Sequence, residues 1–390
     1  MSNSGIYRAT RNNDVVATFK IKSNNLEKAA EAIAIGQSIG NPNVRLDSET
    51  DEMWQRYGCE IRSLKDEGGG YGTAVIGFPA GNFTDGSFTH LLMCLMGGQM
   101  DIDLLSECRL EDLELPASIV AQYRGPKNGI EGIRQYLGAY DRPLIGGIVK
   151  PKTGITIQQL VDMCKQMADG GVDFIKEDEI LGEIALCPFE ARVEAVVRAL
   201  EHYKVIFCPC ITSPIHRLPE VVGVLNKHGC SGFHYNIWGG LDAYQYVVQL
   251  GDNLFAHYQK SGDRVITEGA FSIAFTVWCK LVRLAGADFI HAGMVGGYLD
   301  EPKDVMAKRM DVLRGPMHGL KGLMPSLSCG ATPGMVEGLV DLFGYDIMVS
   351  SGGAIHGHPM GSLAGAKAFR DAAEGRSSRE LEVAIDKWGR

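Results

Sequence analysis

Residues 170–183 read GGVDFIKEDEILGE, which puts one lysine and three acids at the end of a short apolar run. The run has the length and composition of a buried strand. Lys176 ends it, and Glu177, Asp178 and Glu179 follow. A plain reading is a solvated loop entering a helix. The sharper reading is a metal site, because Asp178 and Glu179 offer hard oxygen donors suited to Mg2+. A second pair of lysines, Lys150 and Lys152, closes another apolar run in the sequence VKPK. Taken alone that is a surface turn. In a site, the two ammonium groups would stabilise an enediolate or shuttle a proton. His257 and His291 end two further apolar runs, and either one alone would more often be a structural histidine. The last two runs end in Ser328-Cys329-Gly330 and in Gly352-Gly353. Backbone N–H groups around Gly330, Gly352 and Gly353 can cradle a phosphate, since no side chain blocks the approach. The glycine-rich segment 292–304 reads as a lid or as an ordinary flexible loop.

Groups so far apart in the chain need a scaffold that gathers strand ends. Strand candidates fall at 144–150, 172–178, 204–211, 232–237, 253–258, 287–293, 323–328 and 345–353. Segments of helical period lie between them, including 269–286 taken as one helix, and several close with glycine. Eight such units predict an α/β fold of the (β/α)8 TIM-barrel type, whose catalytic groups sit at the C-terminal ends of the strands. An open doubly wound sheet is the rival architecture. The first 120 or so residues carry strand candidates at 14–23, 58–66 and 71–80 and a helix candidate at 25–40, which predicts a separate α+β domain. The expected division is 1–124 and 125–390, near the Gly- and Pro-rich stretch 122–133.

A net charge of −9 with no basic block argues against nucleic-acid binding. The longest apolar run is too short to span a bilayer, and the N-terminal sequence lacks the apolar core of a signal peptide, so a soluble protein without membrane partners is expected. The ten cysteines show no CxxC pair, and the expectation is buried thiols in a reducing cytoplasm.

The motifs GGIVKPKTGIT (146–156), GGVDFIKEDE (170–179), RLAGADFIHAGMVGG (283–297) and GGAIHGHPMG (352–361) resemble the large-subunit family of ribulose-bisphosphate carboxylase (RuBisCO), as do 109–116 and 125–134. The resemblance implies an N-terminal ferredoxin-like domain, a C-terminal barrel and a homodimer or higher homo-oligomer. It implies that Lys176 reacts with CO2 to form a carbamate, which binds Mg2+ together with Asp178 and Glu179. It carries Lys150, Lys152, His257 and His291 to catalytic positions, and Ser328, Gly330, Gly352 and Gly353 to substrate- and phosphate-binding loops. Four positions depart from the carboxylase pattern: Tyr298 stands at the lid lysine, Tyr258 at an arginine, Gly36 at a glutamate and Gly98 at an asparagine. The chain is therefore most similar to RuBisCO-like proteins, nearest to the 2,3-diketo-5-methylthiopentyl-1-phosphate enolases, although no lysine stands near Gly98 where those enolases have their base. The expected function is a Mg2+-dependent enolase or isomerase of a phosphorylated ketose-like substrate, and not a carboxylase. The alternatives are a decarboxylase or transcarboxylase of a 3-oxo sugar acid, and a non-catalytic binding protein.

Overall fold

The computed structural model describes residues 12–390, which fall into two compact units. The first contains residues 12–124 and 262–284; the second contains 125–261 and 285–390.

In the first unit, strands Asp14–Lys22, Glu60–Gly68, Tyr71–Pro79 and Glu107–Glu114 form an antiparallel sheet, with Asp14–Lys22 between Tyr71–Pro79 and Glu107–Glu114. Helix Leu26–Gly36 follows the first strand and helix Phe88–Met96 precedes the last. This order of strands and helices is that of a ferredoxin-like split βαβ unit. Asn25 starts the first helix by accepting from the Lys28 N–H, and its Ala/Ile face is buried. The strand Glu107–Glu114 was not foreseen, because its apolar positions Cys108, Leu110 and Leu113 break strict alternation. The single helix expected at 269–286 is a strand followed by a helix. Phe271–Ile273 pairs in parallel with Cys108 to Leu110, and only Phe275–Leu284 is helical.

The second unit is the parallel barrel. Its strands are β1 (Leu144–Ile148), β2 (Phe174–Lys176), β3 (Ile206–Cys208), β4 (Gly232–Asn236), β5 (Phe255–Gln259), β6 (Phe289–Gly293), β7 (Met324–Leu327) and β8 (Met348–Ser351). Each pairs in parallel with its chain neighbour, and β8 pairs with β1. A single bridge, Cys210 to His234, joins β3 to β4. Alternation turns every second side chain inward. One inward layer, with Leu144, Phe174, Ile206, Phe255, Phe289, Met324 and Met348, fills the interior as an apolar plug. Asp288 buttresses the barrel at the start of β6: its buried carboxylate accepts from the Asn128, Gly129 and Ala256 backbone N–H groups and the Asn128 side chain. All ten cysteines are free, eight of them buried. Among the described residues no helix is long and apolar enough to cross a membrane.

Candidate active site

Above the apolar plug a cavity of about 520 Å3 opens at the C-terminal ends of the barrel strands. Lys150, Lys152, Lys176, Asp178, Glu179, His291, Ser328, Gly330, Gly352 and Gly353 all line it. Their convergence follows from strand phase. Phe174 faces inward, so Lys176, two residues on, also faces inward one layer higher.

The three acids separate by role. Glu177 does not line the cavity. Its fully buried carboxylate accepts from Arg192 at 2.8 and 3.2 Å and from the Cys210 N–H at 2.9 Å. Asp178, 1 % exposed, contacts the Lys150 ammonium. Glu179 accepts from Ser261 Oγ at 2.6 Å and from Gln259 Nε2 at 2.9 Å, and lies 3.4 Å from Lys176 Nζ. Burial alone would raise the Glu179 pKa. The Lys176 charge and the hydrogen bonds outweigh it and hold the group at about 2. Lys176 itself is 2 % exposed and donates to the Glu177 carbonyl at 3.3 Å. Lys152 is exposed at the rim and makes no ion pair with any described residue.

His291 is buried, with Nε2 in contact with Ser328 Oγ and 3.7 Å from Cys329 Sγ. Burial, then the charges of Lys260 and Lys176, lowers its pKa to about 3, so the ring is neutral. His257 does not line the cavity. Phe289 pairs with His257 across the β5–β6 ladder, so His257 lies level with the apolar plug. The His257 ring packs against Phe174 and Phe289 and edge-on to His234, and burial pushes its pKa well below the ordinary imidazole value. Tyr258 points away from the cavity and packs edge-on to Tyr244 at 4.9 Å. The expected strand ended one residue short, and Gln259, which reaches Glu179, was missed for that reason. Extending the inward alternation Phe255–His257 by two residues would have found it.

The glycine loops line the same cavity as the carboxylates. Gly330 has φ +104°, and a Cβ there would lie 2.5 Å from the Tyr298 nitrogen. A Cβ on Gly352 would lie 2.8 Å from the Ile148 carbonyl. Ser351 ties the two loops together by donating to the Ala331 carbonyl at 3.0 Å and accepting from the Ala354 N–H. Cys329 adopts φ +83°, rare outside glycine. The segment 294–302 carries Tyr298, 86 % exposed at the rim, and is pinned by Gly296 N–H to Asp300 and by Leu299 N–H to the Cys329 carbonyl. Ser350, Ser351, Thr332 and Trp388 also line the cavity. Sequence reasoning missed them; Trp388 lies far along the chain from any strand end and gave no local signal.

Comparison with known proteins agrees with this geometry. Residues 129–388 match the ribulose bisphosphate carboxylase large chain catalytic domain, and residues 6–119 match the N-terminal domain of the same large chain. The chain belongs to the RuBisCO large-chain family. The ribulose bisphosphate carboxylase of Archaeoglobus fulgidus is 29% identical over 420 aligned positions, covering 97% of this chain and 95% of the relative. Among solved RuBisCO-type structures, the octameric enzyme of Pyrococcus horikoshii OT3, in complex with a sulfate ion, superposes with a TM-score of 0.93 at 26% identity, covering 98% of this chain and 95% of that one. A rubisco-like protein (MtnW) from Alicyclobacillus acidocaldarius superposes with a TM-score of 0.87 at 29% identity, covering 97% of this chain and all of that one, 100%.

Proposed function

We propose that this RuBisCO-family chain is a magnesium-dependent enolase or isomerase that removes a proton beside the carbonyl of a phosphorylated ketose-like substrate. The substrate is of the 2,3-diketo-5-methylthiopentyl-1-phosphate type, and the chain does not fix CO2. One observation carries the reading: a buried lysine, Lys176, lies 3.4 Å from Glu179 in a cavity that Asp178 and two glycine loops also line.

The donor set fits a carbamate and a metal ion. Asp178 and Glu179 are two carboxylates of the cavity, and a carbamate on Lys176 beside them would add a third charged oxygen donor. A neutral Lys176 amine would add to the carbon of CO2 with loss of a proton, and the carbamate would offer an anionic oxygen in place of an ammonium. Charge supports this. As ammonium groups, the three lysines of the cavity outweigh Asp178 and Glu179 by one unit. The carbamate turns that into one net negative charge, which a divalent cation returns to one net positive. Asp178, Glu179 and the Lys176 carbamate would hold Mg2+, and Gln259 and Ser261 already fix the Glu179 carboxylate. When bound, the ion supplies polarisation of the substrate carbonyl and stabilisation of the enediolate.

The chain's own groups do the rest. Lys150, at the carboxylate side, holds or moves the proton taken from carbon. Lys152 faces the substrate's charge from the rim. Neutral His291, with Ser328, hydrogen-bonds a substrate oxygen without adding charge. The N–H groups around Gly330, Gly352 and Gly353 receive the phosphate. His257 takes no part in this scheme, because the cavity does not reach it. Tyr298 at the lid has no ammonium to offer an incoming CO2, which supports a rubisco-like reaction, as does the likeness to the Alicyclobacillus protein. The test is a double requirement: turnover of the diketo-methylthiopentyl phosphate should need both preincubation with bicarbonate and added magnesium. Full activity after EDTA dialysis in CO2-free buffer would refute the scheme.

A further inference from the structure

The helix Arg379–Trp388 brings an aromatic ring into the cavity from outside the strand ends. The docking of this helix is built at several points. Ser378 caps its start, Lys367 pairs with Glu380 at 2.8 Å, and His358 Nε2 donates to the Glu380 carbonyl at 2.9 Å. At its far end, Lys387 donates to the Gly357 carbonyl at 2.6 Å, at the end of the short helix Gly353–His356 that follows Gly352. Gly389 and Arg390 run against Gly334 so closely that a Cβ there would lie 2.2 Å from the Gly389 carbonyl oxygen. Trp388 therefore lines the cavity with its chain neighbours tied to Gly357 and Gly334, a few residues beyond the two glycine loops.

Two further features give the indole a task. The Lys387 ammonium lies 4.7 Å from the indole centroid, and Lys387 itself does not line the cavity, so the cation meets the ring from outside. A cation on an indole offsets the negative potential of the ring face. The indole N–H is a donor only, and it hydrogen-bonds no described residue. An aromatic with its face potential offset and a spare N–H, set beside glycine N–H groups, is suited to an anion.

We propose that Trp388 is a specificity-determining residue that closes the glycine-loop end of the cavity and donates its indole N–H to the phosphate held there, with Lys387 as the residue that positions it. This rests on the reading of the glycine loops as a phosphate cradle, and it is independent of the chemistry at Lys176.

The probe is inorganic phosphate, titrated into the full-length protein and followed by tryptophan fluorescence and by calorimetry. The wild type should show a saturable fluorescence change. Trp388→Phe keeps an aromatic ring but loses the N–H. It should lose that change and bind phosphate about tenfold more weakly, as expected for one charge-assisted hydrogen bond. Lys387→Gln, remote from the cavity lining, should weaken phosphate by a smaller factor and shift the residual fluorescence response. Equal phosphate affinity in wild type and Trp388→Phe overturns the role of Trp388 and leaves the cradle standing. Absence of phosphate binding to the wild type overturns both, whereas loss of carbon-acid exchange alone would touch only the reaction proposed at Lys176.

Discussion

At the scale of single residues, burial overrides the ordinary ionisation of one histidine in the cavity and of two outside its lining. His291 is held neutral, with a pKa of about 3, and His234 and His257 lie well below the imidazole value because they are buried. An unfolded chain takes up protons on these rings as pH falls through about 6.5, and the folded chain does not. The unfolded state therefore binds more protons below that pH, and stability must fall on acidification and rise again toward neutrality. Each ring contributes a slope of about 1.4 kcal/mol per pH unit within its window. The urea midpoint should rise steeply from pH 4.5 to 6.5, and the rise should be shallower in His257→Phe; an equal slope in both would contradict the assignment. Two of the three cradle glycines predict opposite outcomes. Gly330→Ala forces a Cβ against the Tyr298 backbone and should disturb the segment 294–302, with loss of activity and of several degrees in Tm. Gly353→Ala meets nothing within 4 Å, so the fold should hold while KM for a phosphorylated substrate rises severalfold. An unchanged KM would remove Gly353 from the cradle.

At the scale of elements, the loop after β2 shows why neighbouring acids need different partners. Glu177 is locked to Arg192 in a pair that no water reaches, and this anchors β2 against the helix Phe189–Ala199. Removing one member leaves a buried charge alone. Arg192→Met should cost about 3–5 kcal/mol in urea unfolding, and the double replacement with Glu177→Leu should recover much of it. A single-variant cost below about 1 kcal/mol would contradict this. The eight strands and their helices were legible in the sequence because apolar runs alternate with segments of helical period, and the strand-end lysines and acids could be read from the same pattern. What stayed hidden depended on register and on distant docking. Ending β5 one residue early put His257 at the rim in place of Gln259. Sequence alone singled out Asp178 and Glu179 but gave Glu177 no partner, since Arg192 lies 15 residues beyond it and only packing joins them. The strand Phe271–Ile273 was taken for helix because its partner, Glu107–Glu114, is more than a hundred residues away.

At the scale of the whole molecule, the family and the solved relatives set the expectation for assembly. The Pyrococcus horikoshii enzyme is octameric. A homodimer or a higher homo-oligomer is proposed here, so light scattering should return twice the chain mass of 42.3 kDa or a larger even multiple. A monomer at micromolar concentration would contradict it. The central claim is that this cavity makes an enolate with Lys176 as a carbamate. The most direct measurement is 1H NMR in D2O, with magnesium and bicarbonate, over phosphorylated ketoses, the diketo-methylthiopentyl phosphate and 3-oxo sugar acids. The account predicts deuterium entering beside the carbonyl without loss of CO2, abolished by Lys176→Ala. Release of CO2, with deuterium at the carbon that bore the carboxylate, would replace enolisation by decarboxylation. No exchange with any of these compounds, or exchange unaffected by Lys176→Ala, would contradict the account.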